Sequence, residues 1–336
     1  MPQGWLPPVG TDVVVPTEWV LPCCRHQGIV VNIPELRLYY FRPAPGDPKT
    51  TLVTTYPVGL GRDDRRTPRG TFTVRARQAN PAWYIPESIR REHIAERGDA
   101  RHSIPGGAPD NPLGRYRLQL TRRLYGIHGT DNPWGIGMQG THGCIRLYPE
   151  DIEQFFNMIP VGTEVRVVNQ PFLFGWGNGQ LYLQPMDVLE DDTRDWSKAQ
   201  RKLLSKSLTA ALQQQLKAEH QQIDWDLVAQ LTHDPRGIPV PVSAANASLD
   251  QVLAAAPRVQ NVVPRGSTWD GKSDLPMDEA SFKQMFSEIE PGSTGPAAAA
   301  APSPAGATPA PAAATRAPAG AAASKTPPPV PKDGGG

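Results

Sequence analysis

The sequence has little cysteine, almost no net charge and no long apolar run. Its 336 residues include three cysteines, and 34 Lys and Arg stand against 33 Asp and Glu. A chain with a formal net charge of +1 and no basic block is poorly suited to recruit a nucleic acid. No stretch approaches the roughly 18 apolar residues of a membrane-spanning helix. We therefore expect neither a nucleic-acid partner nor a transmembrane segment.

Cysteine is too scarce for a disulfide framework. Cys23 and Cys24 are neighbours, with Cα atoms about 3.8 Å apart, whereas disulfides usually span about 4.4 to 6.8 Å. Since the total is odd, at least one thiol has no partner within the chain. We expect Cys23 and Cys24 to be small buried residues that enter a strand.

Alternating apolar residues predict a mainly β domain over residues 28–170. The stretches "ELRLYYF", "TFTV" and "RYRLQL" each place every second residue on one face, which is typical of half-buried strands. The stretch "YPEDIEQFFNMI" has a helical period that begins near Pro149. We therefore predict one short helix directly after Cys144. Because helices do not alternate with strands, a doubly wound parallel sheet is disfavoured.

Composition divides the rest of the chain. Residues 1–27 are expected to be a linker, and residues 78–114, rich in proline and glycine, a flap over a site. Residues 171–250 combine a hairpin that turns at Asn178-Gly179 with an amphipathic helix or helix pair packed on its own domain. Residues 251–336, which end in a stretch of mostly Ala, Pro and Gly, are expected to form a largely disordered tail.

The segment "GIHGTDNPWGIGMQGTHGCIRL", residues 126–147, gathers two histidines and a cysteine among six glycines. Three of the glycines, Gly135, Gly137 and Gly140, match the G-x-G-x-x-G pattern of dinucleotide-binding turns. That pattern requires a strand before it and a helix that begins at the third glycine. Neither fits the surrounding residues, so we interpret the match as accidental.

A zinc site is a second alternative for this segment. His128, His142 and Cys144 are suitable ligands, but structural zinc usually takes four, so Asp131 or Asp151 would have to complete the set. In a third alternative the histidines are hydrogen-bonded core residues and the cysteine is a small buried one. The combination of these residues with glycines favours a functional site.

Nucleophilic catalysis explains the combination best. A thiol nucleophile needs a base nearby, and His142 lies two residues from Cys144, on the same side if the segment is extended, while His128 can approach from a neighbouring strand. The backbone N–H groups of Gly143 and Cys144 can hold an oxyanion, and Arg146 can hold a carboxylate. Glycines around the site leave room for a substrate to approach the main chain.

The spacing of these residues resembles a known signature. His128, a spacer of 12 residues and then Thr141-His142-Gly143-Cys144 resemble the active site of the L,D-transpeptidase (YkuD-type) catalytic domain. The likeness to the periplasmic branch of that family includes "GIVVNIPELRLYYF", "YPVGLGR", "TPRGTFTV", "NPAW", "PDNPLG" and "PVGTEV". The family often has Asn at the position of Arg146, although Arg also occurs there in this branch.

The resemblance implies a YkuD-like β-sandwich that acts as a peptidoglycan transpeptidase. The Cys144 thiolate would attack the bond between the diamino acid and the terminal D-alanine of a stem tetrapeptide. His128 would serve as base and acid, its ring oriented by the Gly129 carbonyl or a neighbouring group. The implied site comprises catalytic Cys144, His128 and His142, oxyanion or orienting residues Gly143, Gly129 and Thr141, and substrate-binding Arg146, with no metal and no cofactor.

The resemblance also suggests partners and a location. Stem peptides would be the donor substrate, and the acceptor would be a second stem peptide, giving a 3-3 cross-link, or a lysine of a Braun-type lipoprotein. Two alternatives to a transpeptidase remain: an L,D-carboxypeptidase that uses water as acceptor, and a non-catalytic wall-binding protein. The implied location is the periplasm. Because the first residues do not read as a signal peptide, we expect a truncated N-terminus, with residues 1–27 a linker segment and the remnant of a truncated LysM module.

Overall fold

The computed structural model describes residues 10–15, 17–22, 25–244 and 247–260. The expectations for Cys23, Cys24 and residues 261–336 therefore lie outside the described residues. The strands are β1 Asp12–Val14, β2 Gly28–Asn32, β3 Arg37–Ala44, β4 Asp47–Pro57, β5 Leu60–Gly61, β6 Gly70–Ala79, β7 Trp83–Tyr84, β8 Ser103–Ile104, β9 Tyr116–Leu120, β10 Gly126–His128, β11 Gln139–Thr141, β12 Ile145–Arg146, β13 Glu164–Val168, β14 Phe172–Gly177, β15 Gln180–Pro185, β16 Val240–Pro241 and β17 Arg258–Gln260.

Six helices occur in the described part of the chain. They are α1 Glu87–Arg97, α2 Pro149–Met158, α3 Trp196–Ser207, α4 Ala210–Ala218, α5 Trp225–His233 and α6 Leu249–Ala255. None of these helices has the length and apolar character that crossing a bilayer requires. Helix α2 begins at Pro149, so the prediction of one short helix directly after Cys144 is confirmed.

Eight strands form one curled sheet in the order β12-β10-β9-β6-β13-β2-β3-β4. The pairs β12–β10 and β13–β2 are parallel, and the other neighbours are antiparallel. The sheet returns on itself where Gly59, just after β4, exchanges two backbone hydrogen bonds of 2.9 Å with Arg146 of β12. A Cβ on Gly59 would lie 2.6 Å from the Gly135 carbonyl oxygen, so this closure requires glycine. The mainly β prediction is confirmed.

The concave face of the sheet encloses the main core. All eight strands contribute buried side chains to it. Helix α2 closes it with Ile152 and Phe155, together with Ile159 directly after the helix, each fully buried. The Phe155 ring packs edge-on against Tyr40 at 6.0 Å and Tyr56 at 5.4 Å between centroids. Aromatic pairs of this geometry add to the stabilisation from burial. The short helix after Cys144 is therefore held in place by its packing against the main core.

The prediction of a half-buried strand is wrong for β3. Leu38 and Tyr40 enter the main core as expected, but Tyr39 and Phe41 on the opposite face are also buried, at 1% and 2% exposure. The outer face is buried by a tertiary contact, because Leu21 of the preceding segment packs against it.

The flap, residues 78–114, has a small core of its own. Ile85, Ile89 and Ile104 pack together, and the buried Asn111 side chain bonds the carbonyl oxygens of Pro81 and Pro105 at 2.9 and 3.0 Å. A long connection with satisfied backbone groups can hold one conformation. The flap is thus an ordered unit that carries α1.

A second core lies beyond residue 170. Strands β14 and β15 form the predicted hairpin at Asn178-Gly179, and the helix pair α3–α4 packs on it through Leu204, Leu208 and Leu216. Helix α6 extends across the expected boundary at residue 250, and strand β17 lies beyond it.

Glu35 links the main sheet to this hairpin. Its carboxylate accepts hydrogen bonds from the Tyr39 hydroxyl and the Asn32 amide, both at 2.8 Å, and from the Gln184 amide of β15 at 3.2 Å. Gln184 in turn accepts the backbone N–H of Val20 at 2.6 Å. Burial raises the pKa of Glu35 to about 7, although the hydrogen bonds it accepts act in the opposite direction.

We expect this carboxyl to make stability depend on pH. Between its ordinary pKa of 4.5 and about 7, the folded protein keeps a proton that the unfolded chain has released, so the free energy of unfolding falls as pH rises. Urea denaturation across this range should show that fall, and Glu35→Gln should remove it. The exposed Glu153→Gln variant is the control; equal slopes for both variants and the parent would contradict the prediction.

Candidate active site

Cys144 lies in a tight loop between β11 and β12. The segment is bent at His142 and Gly143, and Gly143 has a φ of +102°, so it is not the extended strand assumed for His142 and Cys144. A Cβ on Gly143 would lie 2.7 Å from Cε1 of Tyr125. Both the left-handed backbone and this contact require glycine. Protein atoms fill the space beside this glycine, where the sequence predicted room for substrate.

The Thr141 hydroxyl shapes the loop from within. It accepts the N–H of Gly143 at 3.1 Å and donates to the carbonyl oxygen of Cys144 at 2.7 Å, and the residue is 2% exposed. One buried side chain thus satisfies two backbone groups that flank the thiol. The Gly143 N–H, predicted to hold an oxyanion, is engaged by Thr141 in this structure.

The thiol of Cys144 is partly exposed at the mouth of this loop. Its Sγ atom lies 3.5 Å from the carbonyl oxygen of Leu124, in the turn that precedes β10. Reactive cysteines are typically partly accessible, whereas structural ones are buried. The position therefore allows a substrate to reach the sulfur.

His128 ends β10, the strand beside β12. It is level with Arg146 of β12 on one side and Arg117 of β9 on the other. Its Nδ1 atom lies 2.7 Å from the carbonyl oxygen of Gly129. Because a carbonyl only accepts, Nδ1 carries the proton and Nε2 presents a lone pair. The contact predicted to orient the ring is present.

The surroundings of His128 keep it neutral. The residue is 2% exposed, and this burial, followed by the charge of Arg146, lowers its pKa to about 3, with a further contribution from Arg117. The hydrogen bond to Gly129 acts in the opposite direction. At neutral pH the ring is therefore a base without charge, and the nearby positive charge belongs to guanidinium groups.

Arg146 faces the flap. It is 6% exposed and lines a small cavity together with His142, Asp131 and the flap residues Trp83 and Arg97. The sequence predicted a substrate-binding role for Arg146, and the structure places it level with His128, two residues after Cys144. A guanidinium group at this position can bind a carboxylate by donating hydrogen bonds to it if the cavity opens.

His142 contacts a residue that the sequence reasoning missed. Its Nε2 atom lies 3.1 Å from Oε2 of Glu92, on flap helix α1. Arg117 was missed as well. The alternation of "RYRLQL" places Arg117 on a polar face, but only the strand order puts that face beside His128. Glu92 carries no sequence signal, because fifty residues separate it from His142.

Two of the three alternatives for the glycine-rich segment, the dinucleotide-binding turn and the zinc site, find no support in the described residues. Gly140 lies within strand β11, and no helix begins there. The G-x-G-x-x-G match is therefore accidental, as predicted. In the part of the chain that the structure describes, no three His, Cys, Asp or Glu side chains are grouped to hold a metal ion. The site is built instead from a thiol, a neutral imidazole and guanidinium groups at the edge of a β domain.

Comparison with known proteins shows the family of this chain. The sequence model of the L,D-transpeptidase catalytic domain matches residues 26–167. A protein named probable L,D-transpeptidase ErfK/SrfK, from Salmonella typhimurium, is 35% identical over 73% of this chain and 76% of its own length. The probable L,D-transpeptidase YbiS of Escherichia coli is 40% identical over 50% of this chain and 53% of its own length. The chain belongs to the L,D-transpeptidase family.

Solved structures of L,D-transpeptidases are more distant. The catalytic domain of the Enterococcus faecium enzyme is 19% identical and aligns over 44% of this chain and 99% of its own length, with a TM-score of 0.31. An L,D-transpeptidase from Mycobacterium smegmatis is 20% identical over 42% of this chain and 57% of its own, also with a TM-score of 0.31.

Replacing Thr141 should destabilise the loop. Thr141→Val keeps the shape but leaves the Gly143 N–H and the Cys144 carbonyl without their partner, which we expect to cost about 1–3 kcal/mol of unfolding free energy. Thr141→Ser keeps the hydroxyl and should cost under about 1 kcal/mol. Urea denaturation of both variants measures the difference, and equal losses would argue against the hydrogen-bond role.

A neutral His128 predicts how Cys144 responds to pH. His128 supplies no imidazolium to stabilise a thiolate, so alkylation of Cys144 by iodoacetamide should slow continuously from about pH 8 to about pH 5. Mass spectrometry that resolves the three cysteines measures the rate at Cys144 alone. A rate plateau between about pH 5 and 6 that disappears in His128→Asn would refute the neutral state.

Proposed function

We propose that this protein is a cysteine L,D-transpeptidase of peptidoglycan. The observation that carries the proposal is the partly exposed Cys144 thiol in a loop shaped by the buried Thr141. This loop leads directly into β12, the strand that pairs with the strand of the neutral base His128. Family membership supports the substrate class, a stem tetrapeptide that ends in a diamino acid and D-alanine. No cofactor is needed for acyl transfer of this kind.

The first half-reaction forms a thioester. His128 Nε2 takes the Cys144 thiol proton, and Sγ attacks the carbonyl carbon between the diamino acid and D-alanine. The resulting oxyanion is stabilised by backbone N–H groups at Gly143 and Cys144, with the Gly143 group released from Thr141. The C–N bond then breaks, and the imidazolium gives its proton to the amine of the departing D-alanine.

The second half-reaction transfers the acyl group. An amine of a second stem peptide, or of a lipoprotein lysine, loses a proton to His128 and attacks the thioester carbon. The C–S bond breaks, and Cys144 regains its proton. In this scheme Arg146 binds a substrate carboxylate, Gly129 orients the His128 ring, and Thr141 and His142 shape the pocket. The corresponding location is the periplasm, where peptidoglycan is accessible.

An acceptor assay tests this proposal. Incubation with a disaccharide tetrapeptide should release D-alanine, and addition of an amine acceptor should yield a cross-linked product. Cys144→Ala and His128→Asn should each lower the rate by at least about a hundredfold. The exposed His102→Asn is the matched control and should retain full activity.

Two other outcomes would redefine the function. Trimmed tripeptide as the only product, with and without the amine, would indicate an L,D-carboxypeptidase that uses water. Absence of turnover, together with no mass adduct on Cys144 after exposure to a carbapenem, would indicate a non-catalytic wall-binding protein.

A further inference from the structure

One carboxylate of the flap contacts both the loop that carries Cys144 and a neighbouring segment that follows β5. Glu92 accepts a hydrogen bond from Arg62 Nη2 at 2.6 Å through Oε1. Its Oε2 atom lies 3.1 Å from His142 Nε2 and 3.4 Å from Arg65 Nη2. These partners are 27 to 50 residues away in sequence, so the contacts join separate parts of the fold.

The arginine partners belong to the segment of residues 62–66, which packs against the same loop and is called its wall below. The backbone N–H of Arg62 donates to the carbonyl oxygen of Thr141 at 2.9 Å. The carbonyl oxygens of Arg65 and Arg66 would lie 3.3 Å from a Cβ on Gly143, which places them against the bend beside Cys144. Glu92 therefore links His142 to this wall beside the loop that carries Cys144.

Glu92 is charged and mostly enclosed. Burial acts to raise its pKa, but the hydrogen bonds from Arg62 and His142 outweigh this and leave it below the ordinary value. An ionised carboxylate only accepts, so His142 Nε2 carries the proton and donates it. That nitrogen is then committed to the flap instead of serving as a base.

The ion pairs of Glu92 differ from ordinary surface pairs on the same helix. Glu87 of α1 pairs with Arg90 three residues away, and its side chain is 60% exposed. Exposed pairs within one helix contribute little to stability. The Glu92 side chain is 22% exposed, and that of His142 is 14% exposed. Glu87 thus offers a matched control in which the same chemical change touches no part of the site.

We propose that Glu92 is a positioning residue for the reaction of Cys144, holding the flap helix against the nucleophile loop through His142. This inference rests on the proposed function, because it assigns Glu92 a part in acylating Cys144. Small displacements of a nucleophile slow reaction strongly. Glu92→Gln, which removes the charge at constant size, should therefore lower the maximal acylation rate about tenfold or more, with a smaller change in the half-saturating concentration.

The experiment is a double-mutant cycle on single-turnover acylation by a carbapenem. Rates and half-saturating concentrations are measured for the full chain, Glu92→Gln, His142→Asn and the double variant, with Glu87→Gln as the control. Since the two residues act as a unit, the double variant should be no slower than about the slower single variant. Glu87→Gln should match the parent chain. If Glu92→Gln does not fold, Glu92→Asp replaces it in the cycle and should retain part of the rate.

The outcomes separate the two proposals. A parent chain that is never acylated on Cys144 overturns the proposed function. A parent chain that is acylated, with Glu92→Gln at the parental rate or with effects that multiply independently in the double variant, overturns the positioning role alone. An equal slowing in Glu87→Gln would likewise assign the effect to the helix as a whole.

Discussion

The backbone hydrogen bonds on both sides of β12 hold the site in place. This strand has two residues, and it is fixed by β10 on one edge and by Gly59 on the other. Cys144 immediately precedes it and Arg146 lies in it, so both take their positions from the closure of the sheet. Because a strand this short makes few bonds of its own, the position of the nucleophile depends on the curl of all eight strands.

The base of the site and its positive charge belong to different residues. Arg117 and Arg146 flank His128 and help to keep its ring neutral, while their guanidinium groups supply positive charge beside it. A permanently charged residue beside a neutral base favours anions in the site without removing the base. Glu92, on the flap, pairs with two other arginines, Arg62 and Arg65.

The chemistry of the site could be predicted from residue types and spacing, whereas its contacts could not. His128 lies on β10, and Cys144 directly precedes β12, the strand that pairs with β10; their meeting as base and nucleophile stays a prediction. The function of the glycines differs from the prediction, since Gly143 accommodates Tyr125 and Gly129 accommodates Ile152. Whether the space beside a glycine is filled by protein or open to a ligand depends on residues distant in the chain.

The sequence by itself determined the local features: the alternating strands, the start of α2 at Pro149, the hairpin at Asn178-Gly179 and the order of reactive residues. Only the tertiary structure decided that both faces of β3 are buried, that His128 stays neutral and that His142 pairs with Glu92. Local features follow from backbone preference and periodicity over a few residues. Burial, charge and hydrogen-bond partners depend on which distant strands become neighbours, and the curl and closure of the sheet set that arrangement.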